Sequence, residues 1–126
     1  MKISLKIMDK GEKEKISKWK SDQFLSKKIM SNFQITSTKE AEKWIINNNS
    51  DRNQRLLGIY IKENGNDKLI GISRLMFIDF NNSNAELGIY IGDENYLNKD
   101  LGSKSLNQTL KVGFQKLKLH KIYLKV

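Results

Sequence analysis

The sequence contains no cysteine and no proline, and only one histidine, His120. Without thiols there are no disulfides and no thiolate metal site, and one imidazole excludes a multi-histidine metal centre. No apolar run approaches the ~20 residues that cross a bilayer. The start, Met1-Lys2-Ile3-Ser4-Leu5-Lys6, is too short and too charged for the core of a secretion signal. A cytoplasmic, bacterial-type protein without a membrane partner is the expectation. The 126 residues suffice for one domain, 1–126, with a modest core.

Arginine is scarce and lysine abundant, and the net charge is +9. Such a balance suits nucleic acid, an anionic surface or an anionic small molecule. The lysines are spread along the whole chain, however, with no arginine-rich cluster, no aromatic-basic alternation and no zinc finger. Nucleic-acid binding is not supported.

Ile3, Leu5 and Ile7 alternate with Ser4 and Lys6 as in a strand. Asp9 precedes a helical segment over about 12–22, with Ile16 and Trp19 on one face. Ser37-Thr38-Lys39-Glu40 forms a capping box that opens a second helix carrying Ala41, Trp44 and Ile45. Asn47-Asn48-Asn49 should end it. Strands are predicted over 56–61, 69–80 and 85–91, the first two joined by the hairpin turn Asn64-Gly65-Asn66-Asp67. Leu106, Leu110, Gly113, Phe114 and Leu117 recur at helical spacing over 103–118, and 121–126 is a final strand.

The most informative stretch runs from Ala85-Glu86-Leu87-Gly88-Ile89-Tyr90-Ile91-Gly92 into Tyr96-Leu97-Asn98-Lys99-Asp100-Leu101-Gly102-Ser103-Lys104-Ser105-Leu106. It reads as a strand, a short polar loop and an amphipathic helix. Such a loop aims backbone N–H groups and the positive end of the helix dipole at one spot, which favours a phosphate or pyrophosphate.

Strand, loop and helix together resemble the GNAT superfamily of acyl-CoA N-acyltransferases. The family's Gln/Arg-x-x-Gly-x-Gly/Ala loop falls on Leu97-Asn98-Lys99-Asp100-Leu101-Gly102, where only the last glycine matches. Leu97 stands in place of Arg or Gln, and Asp100 in place of glycine. Aspartate tolerates positive φ better than most residues, but its carboxylate would lie beside a diphosphate, partly offset by Lys99 and Lys104. Glu-Leu-Gly-Ile-Tyr-Ile, the following Tyr-Leu-x-Lys-x-Leu-Gly, residues 117–126 and Trp19-Lys20 are similar to the branch that acetylates ribosomal-protein N-termini and nucleotide-linked amino sugars.

The resemblance implies an α+β fold, an α/β sandwich. Its mixed, mostly antiparallel sheet is flanked by helices in the order β-α-α-β-β-β-α-β. It also implies acetyl-CoA as cosubstrate, no metal, and an amine acceptor, either a small molecule or a peptide. Ile89, Tyr90, Ile91 and Gly92 would lie along the pantetheine arm. Leu97 to Lys104, with Ser103 in the first helical turn, would hold the pyrophosphate. Alternation puts Glu86, Gly88 and Tyr90 on the face of the two early helices, and Leu87, Ile89 and Ile91 beneath the later helix. Glu86 is then the candidate general base, with a structural pairing to Arg74 as the alternative. Gly88 and Trp19 are candidate acceptor-binding residues, Trp19 and Trp44 being equally suited to a core.

Family members usually continue past the last strand with a further helix and strands. The expectation is therefore a C-terminally truncated form that self-associates through the 121–126 strand. A non-catalytic module binding coenzyme A weakly, or only protein partners, is the alternative function.

Overall fold

The structure, a computed structural model, describes residues 2–19, 37–97 and 100–124. Strand β1 (Ile3–Ile7) leads through a 3-10 turn (Lys10–Glu12) into helix α1 (Lys13–Trp19). Helix α2 (Thr38–Ser50) precedes strands β2 (Arg55–Glu63), β3 (Asn66–Asp79) and β4 (Asn84–Ile91). Helix α3 (Leu101–Lys111) widens into a π-type turn (Val112–Lys116) before strand β5 (Lys121–Leu124). The five strands lie in sequence order, all antiparallel except the β4–β5 pair, which is parallel. This is the expected α+β architecture. Residues 20–22 of the predicted first helix, Asn98, Lys99, Lys125 and Val126 lie outside the described residues.

The sheet separates two apolar layers. On one face Met8, Ile16, Ala41, Trp44, Ile45, Leu56, Tyr60, Leu69 and Ile72 pack together, joining α1 and α2 to β2 and β3. On the other, Leu101 packs with Ile3, Ile59, Ile61 and Ile70, while Leu119 packs with Leu75, Ile78, Ala85 and Leu87. Tyr90 faces the first layer and Ile89 the second, as the alternation requires.

Ser37 caps α2, its hydroxyl accepting the Glu40 N–H at 3.2 Å. The asparagine run does not end that helix. Asn48 is buried and donates to the Trp44 carbonyl at 2.9 Å, and Asn49 donates to the Met8 carbonyl at 2.7 Å. Their amides find partners within the helix and on the neighbouring chain, so the helix continues to Ser50 and stops where Asp51 turns extended. The β2–β3 turn has Asn64 at φ 53° and Gly65 at φ 81°, the left-handed pair of a tight hairpin. Toward its end β3 bulges between Met76 and Asp79, where Phe77 takes φ 52° and leaves its ring 63% exposed. Helix α3 begins at Leu101, two residues earlier than predicted, because Leu101 is an apolar anchor on the sheet.

At the other end of α3, Lys118 holds φ 58° while the Leu119 N–H reaches back to the Gly113 carbonyl at 3.0 Å. A side chain other than glycine pays a steric cost in that conformation. Lys118→Gly should therefore stabilise the protein by about 1 kcal/mol, or roughly 4 °C in Tm. Thermal unfolding followed by circular dichroism checks this.

Candidate functional site

One backbone oxygen aims the end of β4. Pairing of β2 with β3 jumps from Ile59↔Gly71 to Tyr60↔Leu69, so Ile70 is an extra residue in β3. Its carbonyl accepts the N–H groups of Gly92 at 2.9 Å and of Asp93 at 3.2 Å. Next to it, a Cβ on Gly71 would lie 2.3 Å from the Tyr90 carbonyl oxygen, so only glycine lets the strands approach this closely.

After Gly92 the chain leaves the sheet. The Asp93 carboxylate accepts the Asn95 N–H at 3.0 Å, and Tyr96 donates its hydroxyl proton to Glu63 at 2.6 Å. Asp100 sits at φ 58° and makes no side-chain cap, while its carbonyl accepts the Lys104 N–H at 3.2 Å. The expected positive φ at Asp100 is thus present. Leu101 is buried and fixes the helix start, whereas a Cβ on Gly102 would meet nothing within 4 Å. The first-turn amides of an eleven-residue helix therefore open onto unfilled space beside Gly102. The donor chemistry and the room both fit a diphosphate. Leu97 is 48% exposed at the edge of this loop.

Along β4, Asn84–Leu87 pair with Lys121–Leu124 of β5, and Gly88–Ile91 extend beyond the described part of that strand. One edge of β4 from Gly88 onward therefore carries no strand among the described residues. Ile89, Tyr90, Ile91 and Gly92 lie there in line with the loop. Trp19 covers this end from the α1 side. Its ring meets Tyr90 edge-on at 5.9 Å, and a Cβ on Gly92 would be 2.2 Å from its indole. Trp44 is core, 2% exposed, and Trp19 is half-buried at the strand end.

Glu86 is half-buried on β4, opposite Met76 of β3 and Tyr123 of β5. Gly88 is buried opposite Arg74. Arg74 shares the face of α1 and α2. It donates to the Gln54 side-chain oxygen at 2.6 Å and stacks 5.6 Å from the Trp44 ring. Burial pulls the guanidinium down to about 10, against the opposing charge of Asp51, so it stays protonated at neutral pH. Sequence reasoning considered Arg74 only as a partner for Glu86. Gln54, Trp44 and Asp51 were not anticipated around it, nor was the Ile70 bulge. Gly71 was the one available hint, a strand glycine marking close backbone approach. His120 stands at the helix-to-strand junction, its N–H bonded to the Ser83 carbonyl at 2.8 Å, and is exposed.

Among the described residues, no group of three His, Cys, Asp or Glu is placed to hold a metal ion, and no helix is long and apolar enough to cross a membrane.

Solved structures share this fold. A spermidine N-acetyltransferase from Vibrio cholerae, in complex with CoA and spermine, superposes with a TM-score of 0.80 at 23% identity, covering 97% of this chain and 69% of its own. A dodecameric structure of the Vibrio cholerae enzyme in an intermediate state gives 0.73 at 24% identity, with 98% and 69% covered. A point mutant of that enzyme gives 0.76 at 26%, with 98% and 70% covered. A search of curated protein sequences found no match. Residues 7–126 match the family model described as the acetyltransferase (GNAT) domain. With the mixed sheet, the β4–loop–α3 junction and that match over nearly its whole length, the chain belongs to the GNAT acetyltransferases.

Proposed function

We propose that the end of β4, the loop after it and the first turn of α3 bind acetyl-CoA, and that the chain passes the acetyl group directly to a primary amine within a ternary complex. The observation that carries this reading is the open space at Gly102 beside the first turn of α3. Ile89, Tyr90, Ile91 and Gly92 line the strand end leading to it, and Leu97, Asp100, Leu101, Gly102, Ser103 and Lys104 surround it. Asn98 and Lys99 complete the loop in sequence.

Glu86 acts as general base. It takes the proton that the amine loses as the new C–N bond forms and the C–S bond of the thioester breaks. Gly88 and Trp19 border the acceptor. The Vibrio cholerae enzyme is solved with spermine, but a net charge of +9 and a buried guanidinium on the acceptor face work against a polycation here. An amino sugar or a protein N-terminus suits that field better. The second reading, a coenzyme A-binding module without turnover, is favoured by Asp100, whose carboxylate stands uncapping at the loop.

β5 is an edge of the sheet among the described residues, with Tyr123 46% and Leu124 57% exposed. An apolar edge recruits another strand. Self-association through 121–126 follows. It should appear in sedimentation velocity as a weight-average mass that rises with concentration, and a constant monomer mass would refute it.

Because Gly102 has free space around it, Gly102→Val leaves the fold intact and tests only the ligand. Coenzyme A affinity should fall at least about tenfold by calorimetry, and Asp100→Gly should tighten binding. Unchanged affinity in Gly102→Val would remove the phosphate site from this loop.

Glu86→Gln should lower kcat by about 100-fold where the acceptor amine is mostly protonated, and less at high pH, with coenzyme A affinity unchanged. A pH–rate profile identical to wild type would assign Glu86 a structural role.

A further inference from the structure

The first half of the β4–α3 loop is braced by the tip of the β2–β3 hairpin. Lys68 of β3 stands at the centre of that brace. Its ammonium lies 3.3 Å from one oxygen of Asp93, whose other oxygen caps the Asn95 N–H at 3.0 Å. It also lies 3.5 Å from Glu63 and 5.3 Å over the ring of Tyr96. Glu63 in turn accepts the Tyr96 hydroxyl at 2.6 Å. Lys68, Asp93, Tyr96 and Glu63 thus close a ring that ties both ends of the loop's 3-10 turn (Glu94–Tyr96) to the hairpin.

Lys68 is the single cation of that ring. Asp93 raises its affinity for the proton, while the Tyr96 hydroxyl, and then Lys68, hold the Glu63 carboxyl below its ordinary value. Take the ammonium away and two carboxylates face each other across the loop base. An isolated exposed ion pair contributes little. Here one ammonium ties two carboxylates and an aromatic ring, and fixing the base of a loop before ligand binds lowers the entropy that binding must remove.

We propose that Lys68 is a positioning residue for the loop that receives the coenzyme A diphosphate, acting through Asp93 and Tyr96 from the neighbouring hairpin. The proposal rests on the acetyl-CoA reading above and adds a residue outside the loop. It places the cost of ordering the loop in folding instead of in binding.

The test compares Lys68→Met, Lys68→Arg and Lys62→Met in the full chain. Lys62 is on the same hairpin and pairs with Asp67 at 3.1 Å, so Lys62→Met removes the same charge without touching the brace. Lys68→Met should raise the calorimetric Kd for coenzyme A and the KM for acetyl-CoA about five- to tenfold, with kcat within about twofold. Amide hydrogen exchange over 93–97 should accelerate in the unliganded protein. Lys68→Arg should restore both, and Lys62→Met should change neither. Equal losses in Lys68→Met and Lys62→Met would mean that only overall charge matters and would overturn the proposal. So would wild-type exchange and affinity in Lys68→Met, or a fall in kcat matching the rise in KM. Wild-type protein that binds no coenzyme A fails the acetyl-CoA reading itself, whereas wild-type binding with an indifferent Lys68→Met fails only the brace.

Discussion

The site hangs from the carbonyl of Ile70. One extra residue in β3 turns that oxygen toward the end of β4, where two successive amides bond to it. A regular ladder offers each carbonyl one partner at most. Doubling the bond ends the strand at Gly92 and sends the chain off the sheet toward α3. Gly71 makes the approach possible, and the apolar side chain of Ile70 sinks beside Leu101 in the layer under α3. A backbone irregularity and a packing contact therefore fix the strand end and the helix start with respect to each other. That relation is what an anion-binding helix terminus needs, because its amides act over the first turn only.

Side-chain hydrogen bonds on each face of the sheet tie the elements of this junction together. Under α3, Ser105 donates to the Leu101 carbonyl and Thr109 to the Ser105 carbonyl, each at 2.7 Å. With the Thr109 proton so committed, Ser73 donates to Thr109 at 2.5 Å and joins the helix to β3. On the opposite face Arg74 spreads its guanidinium beside Gln54 and Trp44. Burying an ion is costly unless its bonds are met, and the bond to Gln54 anchors this arginine to the α2–β2 connection. The α3 side and the α1–α2 side of the sheet are thus held by separate polar contacts, with β4 between them.

Family membership and acceptor identity stand on different footings. The fold is shared with the solved spermidine N-acetyltransferases at 23–26% identity, and a shared fold does not fix the acceptor. Which amine accepts the acetyl group depends on side chains, and those the fold leaves free to vary.

The sequence alone determined the element order, the hairpin at Asn64-Gly65, the Ser37 cap and the two faces of β4. These follow from short-range rules: period-two and helical spacing, left-handed tolerance in turns, and hydroxyl capping. It also placed the loop between β4 and α3 and singled out Asp100 as a residue able to take positive φ. Tertiary structure alone decided what depends on residues distant in sequence. The asparagine run stayed helical because Met8, some forty positions away, offers a carbonyl to Asn49. The loop's attachment to Lys68 and Glu63, the Ile70 bulge and the surroundings of Arg74 depend on strand register. Register is set by the summed fit of whole strands, and beyond Gly71 no single position marks it.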